Sequence, residues 1–296
     1  MSPPRAGASA PVALRATCWG TRGSIPTPGP ATVRFGGNTS CVEVCTGGGR
    51  RYVFDAGTGI RGLSRRMQDE AHPADADVFV SHYHWDHIQG FPFCAPLYDP
   101  SSHIRLHGPR QGDVAIDRAF AGQMSPVYFP VPLEALAAEV EFVDVDGTPW
   151  TDGDVEVAAF RLRHPGVTYG YRVRHGGAVL AYVPDNELGG AEARWYDQIV
   201  EFVRGADLLI HDAMFTDAEY VRLQGWGHST FAQAVRLAED AGVRRLRLFH
   251  HAPDRSDAEL ELICGELLAE LAGRGSALEL GIATEGEEIA LAGGEG

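Results

Sequence analysis

Short apolar runs punctuated by glycine and proline fill the first two thirds of the chain, while helical periodicity is clearest in the last third. Together they predict an α+β protein in which mixed β-sheets are covered by helices. No linker, low-complexity tract or repeat of roughly 20–50 residues interrupts the sequence, so one continuous domain over 1–296 is expected. Strands rich in Val, Phe or Tyr are expected at 41–45, 51–54, 77–81, 104–106, 140–145, 155–162 and 169–173. Gly176-Gly177, between YRVRH and AVLAYVP, reads as a hairpin turn, and RRLRLFH at 244–250 as a further strand. Helical spacing marks 191–203, 231–241 and 258–272, with candidates at 60–69 and 113–123. Ser229-Thr230 and Ser256-Asp257 stand where the second and third of these need caps, and Glu259 follows at capping-box distance. The first eleven residues and 293–296 are expected to be flexible.

With 44% hydrophobic and 22% charged residues in 296, the chain has a globular composition and length enough to bury a core without disulfides. Its five cysteines, at 18, 41, 45, 94 and 264, are odd in number and form no Cys-x-x-Cys pair, which suits reduced thiols in the cytoplasm. The N-terminal MSPPRAGASAPVALRA lacks the apolar core of a signal peptide, and no 18 apolar residues run together, so neither secretion nor a membrane partner is expected. The formal charge is −15, and the arginines are scattered apart from Arg244, Arg245 and Arg247 within one strand. A nucleic acid gripped mainly through its phosphates is therefore the less favoured partner.

The chemistry concentrates in SHYHWDHIQG at 81–90, directly after the apolar run ADVFV. Residues two apart in an extended chain point the same way, so His82 and His84 leave the strand end together, with Asp86 and His87 in the turn beyond. Three imidazoles and a carboxylate in one arc suit zinc, manganese or iron. One such cluster cannot close two coordination shells, which directs attention to the ends of later strands. His164 ends VEVAAFRLRH before Pro165-Gly166, Asp185 follows AVLAYVP, and His250 ends RRLRLFH. Taken singly each has an ordinary reading, as a satisfied terminal histidine or a turn-forming Asp. Their joint occurrence with the first cluster favours metal ligation.

These motifs resemble the metallo-β-lactamase superfamily, and within it the branch of ribonuclease Z and phosphoribosyl cyclic phosphodiesterase, along nearly the whole chain. FDAGTG at 54–59 is similar to the family's first Asp-containing turn, and HYHWDH at 82–87 to its H-x-H-x-D-H signature. RHPGVTYGYR around His164, HDAMF at 211–215, GHST at 227–230 and AGVRRLRLFH at 241–250 match later motifs of that branch. Asp185 matches the bridging aspartate, although Pro184 and Asn186 stand where the family usually has Gly and Thr. The alignment favours His250 over the adjacent His251.

The resemblance implies a four-layer αββα sandwich, with two mixed β-sheets flanked by helices, and two divalent ions. Zinc is the leading expectation, with manganese or iron as alternatives. One ion would take His82, His84 and His164, the other Asp86, His87 and His250, with Asp185 between them. Such a pair can hold a hydroxide, lower its pKa toward neutrality and clamp the attacked and leaving oxygens of a phosphodiester. It keeps the pocket cationic inside an acidic protein. Asp86 and His228 are the expected catalytic residues, His228 delivering a proton to the leaving alkoxide. Ser229, Thr230 and, by a weaker argument, Arg172 are expected substrate contacts, the helix after Thr230 offering its N-terminus to a phosphate oxygen.

The leading functional expectation is a phosphodiesterase acting on a small or cyclic phosphodiester. The alternative within the branch is a ribonuclease Z-type RNA processor, but its Gly- and Lys-rich substrate arm has no counterpart: only twenty residues separate His164 from Asp185, and 123–136 carries no basic residue. Thioester or lactone hydrolysis on the same fold is a nearer alternative, although those enzymes generally lack the H-S-T motif. Iron redox chemistry on this fold typically puts Glu where His84 stands. A non-catalytic binding module would be expected to lose several of these ligands. The resemblance is compatible with a homodimer.

Overall fold

The computed structural model describes residues 12–70 and 72–294; the expectation of flexible ends falls mostly outside that set. Within it two seven-stranded mixed sheets lie between helical layers. The first sheet starts with β1 (Val12–Gly20), β2 (Cys41–Thr46), β3 (Arg51–Phe54), β4 (Asp75–Phe79), β5 (His103–Pro109) and β6 (Glu139–Val145). The second holds β7 (Trp150–Asp152), β8 (Val155–Arg161), β9 (Tyr169–His175), β10 (Ala178–Val183), β11 (Leu208–Asp212), β12 (Arg245–Phe249) and β13 (Glu279–Ile282). The chain then returns to the first sheet, where β14 (Glu288–Ala292) pairs antiparallel with β1. Strand orders are β14-β1-β2-β3-β4-β5-β6 and β13-β12-β11-β10-β9-β8-β7.

Hairpins build one half of each sheet and crossovers the other. Gly176 and Gly177, at φ 54° and 79°, supply the two left-handed residues of a tight turn that sets Ala178 opposite His175. β3 to β6, and β10 to β13, run parallel. Between them run α1 (Ile60–Asp69), the single turn α2 (Trp85–Ile88), α3 (Ile116–Gln123), α4 (Ala193–Val203), α5 (Asp217–Leu223), α6 (Phe231–Asp240) and α7 (Asp257–Gly273). Ile60, Leu63 and Met67 of α1 and Phe120 of α3 bury against the outer face of the first sheet, and Ile199, Val235 and Leu267 of α4, α6 and α7 against that of the second. Between the sheets Leu14, Val42, Phe54, Phe79, Tyr171, Tyr182 and Phe249 form the central core, with Phe54 and Phe79 stacked at 5.6 Å. This is the four-layer sandwich expected.

The strands β1, β7, β11, β13 and β14 escaped the sequence reading, and β4 begins and ends two residues before the expected 77–81. Thr230 and Ser256 do cap α6 and α7 in full capping boxes, the latter with Glu259. Among the described residues no helix is long and apolar enough to cross a membrane. The architecture aligns the carboxyl ends of β3, β4, β8, β10, β11 and β12 along one edge, where open sheets of this kind bind ligands.

Candidate metal centre

At that edge the chain leaves β4 through a short extended stretch, which keeps His82 and His84 together before α2 turns Asp86 and His87 back inward. His164 arrives three residues beyond β8, Asp185 two beyond β10 and His250 directly after β12. Asp212, His228 and His250 form one donor group there, and the expected ligands form two more. In one, His82, His84, His164 and Asp185 have donor atoms within 4.8 Å of each other; in the other, Asp86, His87, Asp185 and His250 do. Asp185 belongs to both through different oxygens. Its Oδ2 faces His164 Nε2 at 3.5 Å and His82 Nε2 at 3.6 Å, and its Oδ1 faces His87 and His250 Nε2, both at 3.1 Å.

The donor set fits divalent cations on a second count. His82 Nε2, His87 Nε2 and Asp185 Oδ1 are buried and make no hydrogen bond, although they lie close together. Buried polar atoms are normally paired, so unpaired atoms in each of the two groups mark places where a cation could be held. The 3.1–3.6 Å distances from the Asp185 oxygens to the imidazole nitrogens of each group are near the roughly 3.4 Å edge of a tetrahedron of ligands about 2.1 Å from zinc. Burial disfavours charge on His82 and, aided by the His87 imidazole, holds it well below the ordinary histidine value, in the neutral form a metal needs. Burial also opposes ionisation of Asp185, but His250 and His87 outweigh it and hold the carboxyl well below its usual range.

The imidazoles are anchored from behind. Asp55, at φ 62°, accepts from Ser81 N at 2.7 Å, Ser81 Oγ at 2.9 Å, Tyr182 Oη at 2.7 Å and His87 Nδ1 at 2.7 Å, which turns His87 Nε2 toward the centre. His164 Nδ1 donates to Gly227 O at 2.9 Å. Gly227 has φ 86°, and a Cβ there would stand 2.2 Å from His164 Nδ1, so only glycine permits the approach. The loop that follows β1 also reaches the centre: Ser24 N donates to Asp86 Oδ2 at 2.6 Å, and a Cβ on Gly23 would fall 2.3 Å from the His250 ring.

His228 stands beside both groups, its ring 5.2 Å from His164 and 4.9 Å from His250. Its Nδ1 donates to Asp212 Oδ2 at 3.0 Å. Burial works against a charged imidazole here, yet the buried Asp212 carboxylate outweighs it and raises His228 to about 9. Asp212 is itself fixed by the backbone N–H groups of Asn186, Met214 and Ser229 at 3.1–3.2 Å. His228 also lines a cleft of about 440 Å³ with Met214, Phe215, Trp226 and Arg255.

Three expected substrate contacts have their side chains engaged within the protein. Ser229 is wholly buried, its hydroxyl donating to Asn186 O at 2.5 Å and accepting from Leu188 N at 3.2 Å, so its proton and one lone pair serve the 186–188 loop. Thr230 is also buried, and its hydroxyl accepts from Gln233 N as the cap of α6. Arg172 alternates with the inward Tyr171 on β9, so its side chain emerges on the outer face and meets Arg204 O at 3.5 Å. His251 turns away from the centre to Ala283 O at 3.0 Å. Sequence reasoning missed Asp55, Asp212 and Glu187. The first two lay inside motifs already noted, FDAGTG and HDAMF, each as a carboxylate at a strand end.

A family model for the beta-lactamase superfamily domain matches residues 50–251. The chain belongs to the metallo-β-lactamase superfamily. It is 27% identical to ribonuclease Z of Haloferax volcanii over 286 residues, covering 81% of this chain and 84% of that protein. Among solved metallo-β-lactamase-superfamily structures, human tRNase Z, short form, superposes with a TM-score of 0.65 at 22% identity, covering 93% of this chain and 98% of the other. A diphosphatase from the PhnP family gives 0.66 at 18% identity, covering 94% and 98%. The ribonuclease Z relatives support an ester-bond hydrolase, and the His/Asp groups of this chain suit divalent metal ions.

Proposed function

We propose that the protein is a dinuclear metal-dependent phosphodiesterase acting on a small or cyclic phosphodiester. The observation that carries this reading is the sharing of Asp185 between two donor groups in which His82 Nε2, His87 Nε2 and Asp185 Oδ1 are buried without a hydrogen bond. His82, His84, His164 and Asp185 would hold one cation and Asp86, His87, Asp185 and His250 the other, zinc being the first expectation for this donor set and manganese or iron the alternatives. Such cations lower the pKa of water and stabilise charge developing on a phosphoryl group. His228, protonated and oriented by Asp212, would deliver a proton to the leaving oxygen. Asp86, held by Ser24 N, shares with Asp185 the task of offsetting the cations' charge and aiming His250.

A second reading, RNA processing, has the names of the curated relatives in its favour. Against it, the chain contains no lysine, and the cleft beside His228 presents Glu219, Asp254 and Glu259 to any approaching phosphate, against the single Arg255. The test is turnover of bis-p-nitrophenyl phosphate and cyclic phosphates beside precursor transfer RNA at physiological salt. Hydrolysis of the small esters is expected; efficient cleavage of the RNA alone would reverse the ranking.

A further inference from the structure

The phosphodiesterase reading leaves open which organic group the phosphate carries, and the cleft next to His228 bears on it. Its walls are Met214, Phe215, Leu223, Trp226 and Pro253, with Glu219, Asp254, Arg255 and Glu259 at the margin. Trp226 is 63% exposed, yet its loop is rigidly built. It stands between two glycines in left-handed conformations, Gly225 at φ 85° and Gly227 at φ 86°. Both glycine amides donate to one buried carboxylate: Gly225 N to Glu187 Oε1 at 2.8 Å and Gly227 N to Glu187 Oε2 at 3.0 Å. Tyr220 Oη donates to the same Oε1 at 2.6 Å. The carbonyl of Gly227 then holds His164, and the next residue is His228. One clamp thus fixes an indole, a metal-site imidazole and the proton-donating imidazole relative to each other.

The charges narrow the occupant. Arg255 is engaged by Glu219 at 2.5 Å, and the Glu259 carboxylate accepts from Ser256 N and Oγ at 2.8 and 2.7 Å as the cap of α7, which leaves Asp254 as the acidic group at the rim with no hydrogen bond or ion pair among the described residues. A second anionic group on the substrate would meet repulsion there. An uncharged aromatic ring would stack on the indole and cover the apolar wall.

Resting on the phosphodiesterase reading, we infer that this cleft receives an uncharged aromatic group attached through the leaving oxygen, with Trp226 as its stacking platform and the acidic rim rejecting substrates that carry a further phosphate. The substrate class is accordingly a monoanionic phosphodiester of a nucleoside-like or aryl alcohol.

Two cyclic esters of similar ring strain, adenosine 2′,3′-cyclic phosphate and glycerol 1,2-cyclic phosphate, separate the aromatic contribution from the chemistry. The metal-loaded protein is expected to prefer the adenosine ester by at least about tenfold in kcat/KM, and W226A to erase about tenfold of that ratio through KM, as loss of one stacking contact does. W226F should restore most of it. Adding a 5′-phosphate to the adenosine ester should lower kcat/KM, and D254R should narrow that penalty. A ratio unchanged in W226A, or a 5′-phosphate that improves turnover, overturns the inference. Equilibrium dialysis of adenosine itself against metal-free protein provides a readout without turnover: W226A should weaken binding about tenfold, and equal binding by wild type and W226A overturns the inference. Should neither ester be hydrolysed, the phosphodiesterase reading fails, while the dialysis still decides what the cleft holds.

Discussion

β4 serves two buried polar clusters that behave in opposite ways. In mid-strand, Asp77 accepts from Arg105 Nε at 2.8 Å and Nη2 at 2.7 Å and from His107 Nε2 at 2.8 Å, while His107 stacks on Phe79 with ring centres 4.3 Å apart. Every oxygen of that carboxylate is used. Five residues further on, beyond the strand end, His82 begins a cluster in which His82 Nε2, His87 Nε2 and Asp185 Oδ1 have no hydrogen bond. Charged groups that satisfy one another hold a fold together, whereas groups held close and left unsatisfied are arranged for something else to bind. The contrast distinguishes a structural ion pair from a binding site on the same strand, without reference to family.

Breaking the comparison at its strongest point means removing Asp185. D185A is expected to remain soluble but to lose turnover by a factor on the order of 10³ or more, because both donor groups lose a member. Adding zinc or manganese at about 100 times Kd should stabilise the wild type by about 2.7 kcal/mol, and D185A should lose that thermal upshift. H228A comes next. Its turnover should fall about 10²- to 10³-fold with metal content unchanged by elemental analysis, since its proton rather than a ligand is gone. A drop in bound metal in H228A would instead make His228 part of the coordination.

A smaller effect is expected from behind the ligands. G227A puts a methyl group against His164 and forces a left-handed backbone on alanine, so affinity should fall about 10- to 100-fold for one of two cations in a titration, the other binding as before. D77N sharpens the other side. It should leave turnover and the metal-induced upshift intact while lowering stability in both forms by about 1–3 kcal/mol, the range for breaking a charged buried network.

The same residue sets a pH limit. Burial opposes ionisation of Asp77, but the donors His107 and Arg105 outweigh it and lower its pKa from the ordinary 3.8. Its stabilising contribution is therefore complete above that ordinary value and is lost as pH falls through the depressed folded value. Acid unfolding monitored by circular dichroism should be shallower in D77N than in the wild type.

Much of this was legible in the chain because the donors sit in short motifs at strand ends, where a period-2 pattern stops and a turn begins. The seven expected ligands converge spatially although they span residues 82 to 250. What stayed hidden depended on facing. Arg172 needed the register of β9 to reveal that Tyr171, not Arg172, points inward. Ser229 and Thr230 carry hydroxyls that serve caps and loops as readily as substrates, and only their burial decides. Strands β7, β11 and β13 are three to five residues long, too short for alternation to register, and β11 ends in His211-Asp212, which reads as a site rather than as a strand. Asp55 went unassigned because a carboxylate supporting a histidine from 32 positions away leaves no local pattern.

The pairing of β1 with β14 has a consequence for how the molecule comes into being. A nascent chain that stops short of residue 288 has no strand to place along the outer side of β1, and one that stops before residue 250 lacks the imidazole that the far sheet contributes to the second donor group. Closing such distant contacts makes folding slow relative to a helical bundle of equal size. The second donor group and the outer edge of the first sheet therefore both wait for the last part of the chain, whereas the first donor group is complete once Asp185 has been made.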